Sequence, residues 1–225
     1  MTITTTTLFR VAGVAAILAG LIFIGVQINH PYLDATSITT TDVEVRNSLK
    51  MLMAALALAG ITGLYLRQVP ETGVLGLVGY VVFAAGYLSM LATEYVAALV
   101  LPFIAHSATA YVNDVIAVAN NRPAAGDIGP MHQALLFTGI AYVAGGFVFG
   151  VALFRANVLA RWAAALLAVG TLATIAVGLL PQYERLFALP TGLALVGLGV
   201  SLWREQRAPA APLILNAAPL GPRHP

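Results

Sequence analysis

The stretch "GVLGLVGYVVFAAGYLSMLATEYVAALVL", Gly73–Leu101, contains a single charged residue, Glu94. A bilayer core about 30 Å thick needs ~20 apolar residues as helix, and this run exceeds that length. A run this long and apolar has no place on a water-facing surface. The rest of the chain has the same character. Of 225 residues, 60% are hydrophobic and 9% charged, with a mean hydropathy of +0.89. A soluble domain carries roughly 45–50% apolar and about 25% charged residues. The reading is an all-α polytopic membrane helix bundle.

Six stretches are long and apolar enough to qualify as transmembrane helices: Leu8–Gln27, Leu49–Leu66, Gly73–Leu101, Met131–Phe154, Val158–Leu180 and Leu186–Trp203. Breakers separate them. "NHP" ends the first, "RQVPE" divides the second from the third, and "NNRPAAGDIGP" leads to Pro130, which suits a first helical position. "FRAN" and "PQYER" divide the last three. The sixth stretch is short and runs over Pro190. "MTITTTTLFR" lacks a basic leader, so the first stretch reads as a retained helix. Residues 1–204 form the bundle. Residues 205–225, rich in Pro and Ala, read as a disordered tail.

Basic residues in short loops set orientation. With the N-terminus inside, Arg10, Arg67, Arg155, Arg161, Arg204, Arg207 and Arg223 are cytoplasmic, against Arg46, Lys50, Arg122 and Arg185 outside. Seven against four places both termini in the cytoplasm and the protein in the plasma (inner) membrane. Two longer segments then lie outside. In the first, "TDVE" (Thr41–Glu44) fits a capping box, with Thr41 as cap and the second helix starting near Asp42. In the second, Phe103–Asn120 mixes apolar residues with His106, Asn113 and Asp114, and reads as an interfacial helix on the outer surface.

Several chemistries are excluded. The chain has no cysteine, so disulfides, thiolate metal sites and Cys nucleophiles are absent. No basic run suggests nucleic acid. No phosphate loop, nucleophile elbow or dinucleotide fingerprint occurs.

Glu94 carries the sharpest signal. A carboxylate within a bilayer costs at least ~2.5 kcal/mol on insertion scales, so it must be paired, protonated or in a wet cavity. One reading makes it functional. The other has it snorkel to the headgroups or pair with Arg46 or Lys50. Pro102 removes the backbone donor that would bond Ala98, so the helix should bend or stop there and bring His106 back over the bundle. His132 and Gln133 begin the fourth helix at the same level. His30 ends the first, and Tyr183 sits in the turn between the fifth and sixth. Glu94, His106 and His132 are therefore the candidate catalytic groups. His30, Asn113, Asp114, Gln133 and Tyr183 are the candidate ligand-binding residues. Two imidazoles and a carboxylate would suit Zn, Fe or Mn, but no HExxH or other tight ligand spacing is present, and metal and cofactor content stay open. Without a metal, a carboxylic acid kept neutral by burial can protonate a lipidic substrate.

Small residues suggest tight helix packing: Gly146 and Gly150 in the fourth stretch, and Gly73, Gly76 and Gly79 in the third. "RVAGVAAILAG" and "RWAAALLAVG" are alike, mostly through Ala, Val and Leu, and hint at inverted halves. The segment "LFRANVLARWAAALLAVGTLATIAVGLLPQYERLFALPTGLALVGLGVSLWRE", with "RVAGVAAILAGL", resembles a group of uncharacterised bacterial six-helix membrane proteins of the DUF4386-like type. The resemblance implies a six-helix bundle and carries no activity. Size, helix number and isolated acidic residues also suit integral membrane terpene cyclases, none of whose motifs can be placed here.

The sequence thus points to a membrane protein that binds a lipid-like or amphipathic small molecule at a polar site in the outer half of the bundle, with acid/base chemistry as an extension. The alternatives are a packing subunit, joined to a membrane partner protein or to its own copies through glycine-bearing faces, and a small proton-coupled transporter.

Overall fold

A computed structural model describes residues 4–175 and 186–205. Among these residues every regular element is helical. The α-helices are α1 (Thr5–Gly25), α2 (Thr41–Leu66), α3 (Val69–Tyr95), α4 (Leu101–Ile104), α5 (Thr109–Ala119), α6 (Pro130–Ala156), α7 (Arg161–Ala173) and α8 (Leu189–Glu205). A π-helical segment, Val96–Val100, joins α3 to α4, so that a single rod, broken only near its start at Gly73, spans Val69–Ile104. Among the described residues, four helices are long and apolar enough to cross a membrane: α1, α2, the Val69–Ile104 rod and α6.

Six helices close a ring in chain order. α1 packs on α2, α2 on α3, α3 on α6, α6 on α7, α7 on α8, and α8 returns to α1. The ring is filled by Met53, Ile61, Leu64, Phe83, Tyr87, Phe149 and Leu195. Its outside is apolar too: Val74 is 78% exposed, Val169 63% and Ile140 60%. Helices apolar on every face belong in hydrocarbon, where outward Val and Ile cost nothing.

Glycines set the closest approaches. A methyl group on Gly20 would lie 2.4 Å from the Gly192 carbonyl oxygen, and one on Gly13 2.9 Å from that of Gly199. α1 and α8 thus meet backbone to backbone. α3 and α6 do the same, since a methyl on Gly79, Gly86 or Gly145 would fall 2.5, 2.7 or 2.3 Å from the amide nitrogen of Phe149, Tyr142 or Phe83. Gly146 and Gly150 face Thr171 and Ala168 of α7. Of the small residues predicted from sequence, Gly79, Gly146 and Gly150 are packed against neighbouring helices, whereas Gly73 faces open space and Gly76 meets only Thr72 of its own helix.

Several boundaries differ from the sequence reading. α3 begins at Val69, with Pro70 in its first turn, and is interrupted at Gly73, whose φ of 55° with ψ of −149° suits only a residue without Cβ. The capping box at Thr41 does not form. Thr40 is the N-cap, and its hydroxyl donates to the Ser37 carbonyl because a 3₁₀ turn, Ser37–Thr39, runs straight into the helix. Pro130 does occupy the first position of α6. α7 is described as far as Ala173, and Glu205 is the last described residue of α8. Tyr183 and the tail after Glu205 lie outside the described residues.

One end of the ring carries a cap. The α1–α2 loop, α4, α5 and the loop before α6 enclose a second apolar cluster of Ile38, Val43, Leu101, Val112, Val115 and Ile116. Polar side chains staple it. The Asp34 carboxylate accepts from the Thr36 and Ser37 amides at 2.9 and 2.6 Å. The Arg46 guanidinium pairs with Asp42 and donates to the Val26 and Ile28 carbonyls, closing the frayed end of α1.

Candidate functional site

The site begins with a backbone defect. In the π segment the Leu101 amide bonds the Val96 carbonyl, five residues back. The same register would give the Ala97 carbonyl to residue 102, which is proline and has no N–H. Asn47 on α2 supplies the missing donor. Its Nδ2 donates to the Ala97 oxygen at 3.2 Å, and the side chain is only 2% exposed. Pro102 therefore leaves a carbonyl unpaired, as its chemistry requires. That carbonyl is Ala97, one residue before Ala98, because the helix shifts register to π. The helix does not stop at Pro102; it runs on to Ile104.

Asn47 has a second contact. Its Oδ1 accepts from Lys50 Nζ at 3.4 Å, one helical turn along α2. Lys50 is the only lysine in the chain. It reaches a chamber of about 130 Å³ between α2, α3 and the underside of α5, and Glu94 faces it there. Leu33, Ile38, Val115, Ile116 and Leu135 make the chamber mostly apolar. The two charges are not in direct ion-pair contact, since Arg46–Asp42 and Arg67–Glu205 are the ion pairs among the described residues. Lys50 lies nine residues from the start of α2 and Glu94 ten from the end of the rod at Ile104, roughly 15 Å along each helix at 1.5 Å per residue.

A second chamber, about 260 Å³, sits above the first and shares Leu33, Lys50, Ala119 and Asn120 in its walls. His30, Gln27, Asn121 and Arg122 complete its polar lining. Arg122 lies over the Tyr32 ring, 5.3 Å from its centroid, and donates to the Tyr32 hydroxyl at 2.7 Å. Together the chambers make a crevice with a polar, cationic mouth and an apolar floor bearing one carboxylate.

No protein-family model, curated protein or solved structure matches the chain. The site therefore stands on its own geometry.

The sequence candidates separate into groups. Glu94 and His30 line the crevice. His106 is exposed on the cap surface and lines neither chamber. His132 and Gln133 are exposed beside Asp127 in a shallow depression at the start of α6. Among the described residues no three His, Cys, Asp or Glu side chains are placed to hold a metal ion. Asn113 and Asp114 brace the cap. Asn113 Oδ1 accepts from the Ala35 amide at 2.8 Å, and both Asp114 oxygens accept from Ala125 and Gly126 amides at 2.8 and 2.9 Å. Asn47, Asn120 and Arg122 were not singled out by sequence reasoning, and Lys50 entered only as a structural partner for Glu94. One signal was available: the chain's single lysine stands one turn from an asparagine within an apolar helix.

Proposed function

We propose that this chain is a six-span membrane protein of the plasma membrane, with the α5 cap on the outer face, that binds an amphipathic small molecule in the crevice beneath α5. The observation that carries the reading is the meeting of Lys50 and Glu94 in a chamber between α2 and the Val69–Ile104 helix, where the apolar run of α2 begins. Groups that costly inside a bilayer persist where they face each other or a ligand. The apolar floor suits a short length of hydrocarbon, and the polar mouth suits a headgroup. Lys50 and Glu94 offer a donor and an acceptor of protons at the junction, which is where acid/base work on a bound headgroup would occur. In this orientation the opposite end of the ring, with Arg10, Arg67, Arg155 and Arg161, faces the cytoplasm, as the basic-residue count expects.

Transport is the weaker reading. Phe83, Tyr87, Tyr142 and Phe149 pack ring on ring across the middle of the bundle, with centroids 4.8–6.2 Å apart, and leave the crevice closed below. A packing subunit is weaker too, because the closest glycine contacts, at Gly13, Gly20, Gly79, Gly86, Gly145 and Gly150, are used internally.

Native mass spectrometry of the protein extracted from its host membrane tests the reading. Wild type should retain a small amphiphile. Ala119→Trp, at an exposed position in the wall of both chambers, should lose it while staying folded. Equal retention by both proteins would show that the crevice is not the site. Reporter fusions after Trp203 and within the α1–α2 loop test the orientation; an external C-terminus overturns it.

A further inference from the structure

The mouth chamber has a chemistry of its own. Lys50, Arg122 and His30 line it together with Gln27, Asn120 and Asn121, and no carboxylate does. Among the described residues Arg122 has no acidic partner, and its guanidinium donates to a neutral phenol. Lys50 is bonded to a neutral amide and shares Glu94 only across the lower chamber. The ends of α1 and α5 bring backbone carbonyls close by, which would favour a cation, but these are already taken. Arg46 holds the Val26 and Ile28 oxygens, Asn120 Nδ2 holds that of Ile116, and the Arg122 amide holds that of Ala117. The net lining is cationic and donor-rich.

We propose that the mouth chamber is an oxyanion site, taking a phosphate headgroup between Arg122 and Lys50, with the first carbons of its chain turned down beside Leu135 and Ile116. This rests on the amphiphile-binding reading and adds the class of headgroup. Arg122 presents a planar fork that matches phosphate oxygens, and Lys50 adds a point charge from the opposite wall. The lower chamber holds only a few methylenes beside the mouth, so a single-chain headgroup segment fits better than the body of a two-chain lipid.

The same chemistry could be met by free phosphate, so the test uses three probes at matched ionic strength in an uncharged detergent: dodecyl phosphate, dodecanol and inorganic phosphate. Binding is read as a saturable rise in melting temperature. Dodecyl phosphate should bind wild type most tightly. Arg122→Gln should weaken it about tenfold, leave dodecanol binding unchanged, and be rescued in part by Arg122→Lys. Arg122 is an exposed loop residue, and the unliganded melting temperature of each variant checks that it folds. Inorganic phosphate binding as tightly as dodecyl phosphate would keep the oxyanion site and overturn the lipid headgroup. Equal binding of dodecanol and dodecyl phosphate, or no effect of Arg122→Gln, would overturn the oxyanion site and leave the amphiphile reading standing. No saturable effect from any probe would overturn both.

Discussion

Removing Lys50 and Glu94 one at a time and together tests whether they act as a pair. At about 4 Å and an effective dielectric near 20, two unit charges attract by ~4 kcal/mol, and the attraction falls inversely with distance. Lys50 and Glu94 stand beyond direct contact across one small chamber, so a coupling of ~2 kcal/mol is expected. Lys50→Met leaves the Glu94 carboxylate facing an apolar wall. Glu94→Gln leaves the Lys50 ammonium with only the Asn47 oxygen. Each single change should destabilise. The double change should cost less than the sum of the singles, because no charge is left stranded. For a chain of this size 1 kcal/mol is about 2–4 °C in melting temperature, so the shortfall should be ~4–8 °C. The assay is thermal unfolding of the four proteins in one detergent at one pH, each checked by circular dichroism. Additivity within ~0.5 kcal/mol would refute the coupling and return Glu94 to a passive interfacial role. Glu94→Leu extends the test: a variant more stable than wild type, with binding unchanged, would sink the site.

Other consequences follow from single contacts. Asn47→Leu should cost ~1–3 kcal/mol by stranding the Ala97 carbonyl, and adding Pro102→Ala should recover part of that loss by restoring a backbone donor; a further loss in the double variant would refute the register argument. Gly145→Ala, whose new methyl would sit 2.3 Å from the Phe83 amide nitrogen, should destabilise by ~1–3 kcal/mol, whereas Gly139→Ala, with open space around it, should gain up to ~1 kcal/mol; thermal melts decide both signs. In the cap, the Ser37 amide above all holds the Asp34 carboxyl below its ordinary 3.8; desolvation opposes it, and the Thr36 amide and Ser37 hydroxyl assist. A depressed carboxyl stabilises the fold above 3.8 and loses that contribution as pH falls through its folded value. The protection of the Thr36 and Ser37 amides, measured against the intrinsic exchange rate at each pH, should therefore fall below pH 3.8 and be flat from pH 5 to 7, and Asp34→Asn should flatten the acid limb.

Much of this protein was legible in its sequence because one property dominates it. Hydrocarbon solvent demands long apolar helices, so the positions of α1, α2, the Val69–Ile104 rod and α6 could be read from composition and breakers alone, to within a few residues except where α2 begins above its apolar run. Glu94 could be read the same way, since a lone carboxylate in such a run is expensive wherever it points. The missing donor at Pro102 was likewise a matter of covalent chemistry. Partners were different. Which helix stands beside which depends on the ring closing through Gly13, Gly20, Gly79, Gly86 and Gly145, and apolar sequence carries no directional label for that choice. His106 and His132 stand at the same end of the bundle as Glu94 but line neither chamber of the crevice. Depth follows from counting residues, whereas azimuth is decided by packing. That is why the structure sets Lys50 and Asn47 before Glu94 and leaves His106 and His132 on the outside. The π turn completes the arrangement. It shifts register by one residue after Glu94, a step that only the packing of α2 and the Asn47 side chain against the rod could select.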